Sequence, residues 1–325
     1  LIALTAALCP AGAAPAQEAD ARCAAKPLVQ MAILLDTSGS MSGLIDQARA
    51  ELWSIVNQFI RARQNGLEPE LQVALLEYGN DSLPPEAGHI RTIVPFTGDL
   101  DRISEELFAL TTNGGSEYCG WVIRQAVSDL PWSGSPGDLK VIFIAGNEPF
   151  TQGPVDYRVT CRAAIEKGII VNTIHCGDEA AGMDGEWKNG AVLADGRYLN
   201  IDHNRAVVHV DAPQDGEIAD LSAKLNDTYI PYGEIAEAAS GRQLAQDKNA
   251  GAASPASAVA RAVAKSSHNY ANAAWDLVDA VNNGVKLEDV KTEDLPGNMR
   301  DMTFEQRKAY IEDQAAKRAG IQQKI

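Results

Sequence analysis

A mainly apolar run from Val29 to Leu35 ends on a carboxylate, Asp36, and turns through Thr37-Ser38-Gly39-Ser40-Met41 into a helical pattern. Strand, polar turn and helix in direct succession constrain the fold strongly. A buried strand must be covered on both faces, and helices that return over a parallel sheet provide that cover. Asp36 then stands at the carboxyl edge of the sheet, where open α/β folds keep their ligand crevice. Oxygen atoms gathered there suit a hard divalent cation such as Mg2+, which prefers oxygen donors and keeps several waters. Asp and Ser are also ordinary N-cap residues ahead of a helix, so the five residues alone admit a plain capping role.

The pattern continues along the chain. Leu44, Ala48, Leu52, Ile55, Val56, Phe59 and Ile60 form one helical stripe at a period near 3.6. Strands are predicted over Leu71 to Tyr78, Ile90 to Phe96, Leu139 to Ala145, Ile169 to His175 and Arg197 to Ile201. Helices are predicted over Leu100 to Leu110, around Val122 to Leu130, over Tyr157 to Lys167, around Trp187 to Leu193 and from about Gly216 to Tyr229. The alternation implies a Rossmann-like, doubly wound, mainly parallel α/β sheet. Past residue 233 the composition shifts towards Ala, Gly, Ser, Asp and Gln, and residues 234–258 read as linker or weak helix. Residues 259–325 read as a helical C-terminal appendage: Pro255 suits a first helical turn, Val259 to Val281 trace one stripe, and Thr303-Phe-Glu-Gln306 forms a capping box.

Asp-x-Ser-x-Ser after an apolar strand, here Asp36, Ser38 and Ser40, resembles the metal-ion-dependent adhesion site of von Willebrand factor type A domains. The succession of elements extends that resemblance over residues 28–233. In the family a second loop supplies a Thr ligand after a Gly-rich turn; Gly114-Gly115-Ser116 stands at that place, so the resemblance implies Ser116 as the third hydroxyl, with Glu117 a substitute carboxylate. The third loop departs from the family pattern. Where the family usually has Thr-Asp-Gly-Glu, this chain has Ala145-Gly146-Asn147-Glu148, and Gly146 replaces the acidic residue. The implied Mg2+ (or Mn2+ or Ca2+) site is therefore weakened, with Asn147 and Glu148 as candidate compensating groups. The family's mode of action implies a protein ligand whose acidic side chain completes the ion's coordination.

The chain has 325 residues and a formal net charge of −16. Such a surface repels nucleic acid and anionic lipid and enriches divalent cations. Leu1 to Leu8, followed by small residues and Ala14-Pro15-Ala16, reads as the remnant of a secretory signal peptide over 1–16, with a polar leader over 17–27. No other window holds about 18 consecutive apolar residues, so no membrane insertion is expected after signal cleavage. The expected address is secreted or periplasmic. In an oxidising compartment the default for Cys23, Cys119, Cys161 and Cys176 is disulfide formation, with three connectivities open. Cys161 with Cys176, or either with Cys119, would brace the top loops. A zinc site from Cys119, His175 and Cys176 lacks paired ligand spacing.

No Gly-x-Ser-x-Gly elbow, phosphate-binding Gly-x-x-x-x-Gly-Lys loop or His-Glu-x-x-His helix occurs. The expected function is non-enzymatic protein binding through a cation. A metal-free envelope scaffold that binds through its top loops is the first alternative, and a metal-dependent hydrolase the second.

Overall fold

The computed structural model describes residues 26–60, 67–201 and 212–325. The signal remnant, the leader up to residue 25, Cys23, His203 and His209 lie outside the described residues. Six strands, β1 (Leu28–Asp36), β2 (Glu70–Tyr78), β3 (Ile90–Thr97), β4 (Leu139–Gly146), β5 (Ile169–Cys176) and β6 (Tyr198–Ile201), form one sheet. Its order is β3-β2-β1-β4-β5-β6, and only β3 runs antiparallel. Among the described residues the helices are α1 (Ser42–Ile60), α2 (Leu100–Ala109), α3 (Cys119–Asp129), α4 (Tyr157–Glu166), α5 (Glu179–Asp184), α6 (Trp187–Leu193), α7 (Asp215–Asn226), α8 (Ala236–Ala253), α9 (Pro255–Lys265), α10 (Leu277–Asn282), α11 (Gly297–Arg300) and α12 (Phe304–Gln322). This is the Rossmann-like, doubly wound, mainly parallel architecture expected from the sequence, extended by C-terminal helices.

Side chains alternate across a strand, so each strand feeds two cores. Val29, Met31 and Leu35 of β1 pack with Ile45, Trp53 and Val56 of α1, Ile103 and Leu107 of α2, Ala250 of α8 and Ala264 of α9. Ala32 and Leu34 face the other way, with Val122 and Ile123 of α3, Tyr157 and Ala164 of α4 and Trp187 of α6. Asp36 continues the second parity. Register places it opposite Tyr78 in β2, and because Leu35 pairs with Ala145 it lies level with Gly146 of β4.

Over 234–258 the chain is helical across Ala236–Ala253, and that helix packs on α2 and α9. The stripe from Val259 to Val281 is not one helix: α9 ends at Lys265, and α10 begins only at Leu277, capped by the Asp276 carboxylate, which accepts from Asp279 N. Pro255 opens α9, and the capping box of Thr303 with Gln306 opens α12, as their spacing predicts.

Three buried cations, Arg261, Lys265 and Arg318, fasten these C-terminal helices. Arg261 is 1% exposed; its guanidinium lies 4.4 Å from the Trp53 ring centroid, pairs with Asp101 of α2, and donates from Nε to Asp247 Oδ1 (2.8 Å). Lys265 donates to the other Asp247 oxygen (2.8 Å) and to Asn226. Arg318 of α12 donates to Asp276 and Asp279 (2.7 Å each) and to Thr228 O (2.8 Å), with its guanidinium over Tyr229. Removing one partner of a buried pair strands the other's charge, so Arg261→Ala is expected to cost about 3–5 kcal/mol. Arg242→Ala breaks only exposed pairs to Asp99 and Glu105 and is expected to cost under about 1 kcal/mol. Urea denaturation of the two variants checks the contrast.

Candidate metal centre

The strand order reverses between β1 and β4, which opens a crevice at their carboxyl ends. Asp36 is the last residue of β1 and is fully buried. Its Oδ1 accepts from the main-chain N–H of Ser38 (2.7 Å), an Asx-type turn that lifts the chain out of the strand. Thr37 N donates to Tyr78 O (2.8 Å), and Thr37 Oγ1 donates to Glu77 Oε2 (3.1 Å). The second loop is stitched to the first: Gly39 N donates to Gly114 O (2.9 Å) and Asn113 N to Thr37 O (3.0 Å).

Ser38 precedes the short helical turn at Gly39–Met41, yet its hydroxyl makes no capping bond there. Its Oγ lies 3.1 Å from Ser40 Oγ, and Ser40 Oγ donates to Asn147 Oδ1 (3.1 Å). The first and third loops thus meet through hydroxyls, with Ser40 exposed to solvent and Asn147 half-buried.

Glu117 is only 3% exposed and faces Asp36. A Cβ added at Gly79, where φ is +80°, would lie 2.7 Å from Asp36 Oδ1 and 2.8 Å from Glu117 Cγ. Glycine at 79 therefore lets the two acidic side chains converge. Glu117 is held from behind, since its N–H donates to Gln152 Oε1 (2.7 Å). Asp36 Oδ2 and Glu117 Oε2 are buried without a hydrogen-bond partner among the described residues. Burial pushes both carboxyls up to about 7, and Asp36 raises Glu117 further by its charge. Glu148 adds to both through its own charge at longer range.

The site residues expected from sequence are placed unequally. Asp36, Ser38, Ser40 and Asn147 are joined by hydrogen bonds, and Glu117 approaches Asp36 over Gly79. Ser116 is placed by its main chain, which bridges Gly79. Glu148 contributes its carbonyl to Trp187 Nε1 (2.8 Å) and its charge to the site.

Sequence reading missed Tyr78 and Trp187. Tyr78 Oη donates to Ala145 O (3.0 Å), and a Cβ at Gly146 would sit 2.5 Å from Tyr78 Oη, 3.0 Å from Trp187 Cη2 and 3.2 Å from Asp36 Oδ2. The absent acidic residue is thus matched by absent space. An aromatic at the end of a buried strand, followed by Gly79, is the only signal in the chain that points to this.

The disulfide expectation needs correction for the described cysteines. Cys119, Cys161 and Cys176 are free and buried. Cys176 belongs to the core on the α1 face, whereas Cys119 and Cys161 belong to the core on the α3 face, so the sheet separates Cys176 from both. Burial pushes the Cys161 thiol up to about 12. The same separation divides the zinc set: His175 lies 2.9 Å from Asn200 Oδ1 and 3.2 Å from Asn147 O, and no group of three or more His, Cys, Asp and Glu is arranged to hold a metal among the described residues. What the crevice offers a cation is a mixed set of hydroxyl, amide and carboxylate oxygens. That donor set, with two orphaned carboxylate oxygens, fits a hard divalent ion.

No protein-family model matches this chain, and no curated protein does. Solved structures similar to it include the conserved hypothetical protein BatB from Bacteroides thetaiotaomicron, 17% identical over 54% of this chain and 90% of that one, with a TM-score of 0.41. Proximal thread matrix protein 1 from the mussel byssus, with a zinc-occupied MIDAS motif, is 12% identical over 55% of this chain and 43% of its own, at a TM-score of 0.42. A von Willebrand factor type A protein from Catenulispora acidiphila is 17% identical over 55% of this chain and 40% of its own, at 0.40. In the last two, the match spans less than half of the other protein's length.

Two consequences are measurable. Carboxyls raised from 3.8 and 4.5 to about 7 bind protons in the folded chain that the unfolded chain has already released. Without added metal, stability should fall as pH rises from about 4 to about 7 and then level off. Asp36→Asn should flatten that decline in thermal melts, and a wild-type profile that rises over the same range contradicts it. Gly146→Asp should lower stability by about 1–3 kcal/mol through overpacking against Tyr78 and Trp187, as read by urea denaturation.

Proposed function

We propose that this chain is an exported, non-enzymatic protein-binding module that holds a divalent cation, Mg2+, Mn2+ or Ca2+, at the carboxyl ends of β1 and β4. Asp36 carries the charge that anchors the ion, Ser38 and Ser40 add hydroxyl oxygens, and Ser116 stands at the place of a third. The bound ion supplies a positive charge that accepts an acidic side chain from a protein partner. Asp36 Oδ2 is the observation that carries this reading: a buried carboxylate oxygen with no partner among the described residues. Leaving such a group unpaired is costly, and a cation removes the cost.

The ion also reverses the local field of an otherwise acidic surface, so an acidic partner is attracted at this crevice and repelled elsewhere. Among the described residues no helix is long and apolar enough to cross a membrane. The export signal and the extracytoplasmic address belong to this proposal as read from residues 1–16.

A metal-free scaffold is favoured by one feature, the Ser38–Ser40–Asn147 chain, which satisfies the hydroxyls without an ion. Calorimetry separates the two. Titration of Mn2+ into the wild-type chain should give a saturable heat that Asp36→Ala abolishes while circular dichroism stays native. Absence of heat in the wild type favours the scaffold. Turnover of esters, phosphates or peptides that disappears with Asp36→Ala would replace binding by hydrolysis.

A further inference from the structure

Gly146 removes one negative charge from the place where the type A resemblance puts it, and the structure closes that place to any side chain. Tyr78 spans from β2 across Asp36 to Ala145 O, and Trp187 fills the other side. A second anionic ligand for an ion at Asp36 must therefore come from another direction. Glu117 comes from the opposite wall. It is 3% exposed, its side chain meets Asp36 over Gly79, and its Oε2 has no partner among the described residues. A carboxylate buried beside another carboxylate, each with one oxygen unsatisfied, is an arrangement that repels itself until a cation enters.

We propose that Glu117 supplies the second negative charge of the cation site, in place of the residue that Gly146 cannot carry, so that the ion sits between Asp36 and Glu117 above Gly79. This rests on the cation reading of the same crevice and adds a ligand to it. Gln152 acts as a positioning residue, because its Oε1 takes the Glu117 main-chain N–H and fixes where the side chain departs. Two carboxylates leave a divalent ion formally neutral where one leaves it singly positive. The ion is then held more by the protein itself and less by the arriving partner.

The test is Mn2+ binding to the full chain, followed by electron paramagnetic resonance and by the metal-induced rise in thermal midpoint. Glu117→Gln should weaken Mn2+ by at least about 10-fold and remove most of the metal-induced rise. Its midpoint without metal at pH 8 should equal or exceed the wild type's, since one uncompensated buried charge is gone. Asp81→Asn alters a half-exposed carboxylate near the same loop and should change affinity by less than about threefold. Glu117→Asp, which keeps the charge and shortens the reach, should also weaken binding and serves if the Gln variant fails to fold. If Glu117→Gln and Glu117→Asp bind Mn2+ as the wild type does while Asp36→Ala does not, the cation reading stands and the role of Glu117 is overturned. If the wild type binds no Mn2+, the cation reading itself falls, and this inference with it.

Discussion

A carboxylate that ends a buried strand with one oxygen unpaired sets the terms for everything near the top of this sheet. Water solvates such a group well and protein interior does not, so Asp36 must be met by a proton, a hydrogen-bond donor or a cation. Among the described residues only Oδ1 receives a donor, the Ser38 N–H. Oδ2 faces Gly146 and the space beside it. The rise of its pKa to about 7 by burial expresses the same imbalance, since a proton is the simplest cation available.

The surroundings follow from register. On the last rung of the sheet, Tyr78, Asp36, Gly146, His175 and Asn200 come level across five strands. A polar row at the rim of an apolar sheet must satisfy itself sideways. Tyr78 reaches over to Ala145 O, and His175 lies between Asn147 O and Asn200. Gly146 is the member that makes room, with Tyr78 and Trp187 closing on it, and the proposed second charge comes from Glu117 on the neighbouring loop. The helices α8 and α9 act at a distance: they cover the α1 face of the sheet and are pinned there by Arg261, which sandwiches against Trp53 and pairs with Asp101 and Asp247.

The strand and helix pattern was legible in the chain because buried strands and amphipathic helices write their periods directly into residue order. Asp36, Ser38 and Ser40 were legible for the same reason, standing where an apolar run stops. The capping box at Thr303 and the first-turn Pro255 are local devices and carry their own signals. Three features were not legible. Why Gly146 is glycine depends on Tyr78 and Trp187, which meet it only through strand register and the α6 packing. The face on which each cysteine lies depends on parity within its element, and that parity divides Cys176 from Cys119 and Cys161. The apolar stripe from Val259 to Val281 keeps helical spacing across a break, because the interruption between α9 and α10 is made by turns and the Asp276 cap rather than by a change in hydrophobic period.

The central claim is that a cation belongs between the carboxylates of Asp36 and Glu117, which approach each other over Gly79. Anomalous diffraction from crystals grown with Mn2+ addresses it directly. The account predicts one strong peak at coordination distance, about 2.0–2.6 Å, from oxygens of both carboxylates and within reach of Ser38. A crevice without a peak at saturating Mn2+, or an ion ligated away from Asp36, would contradict it.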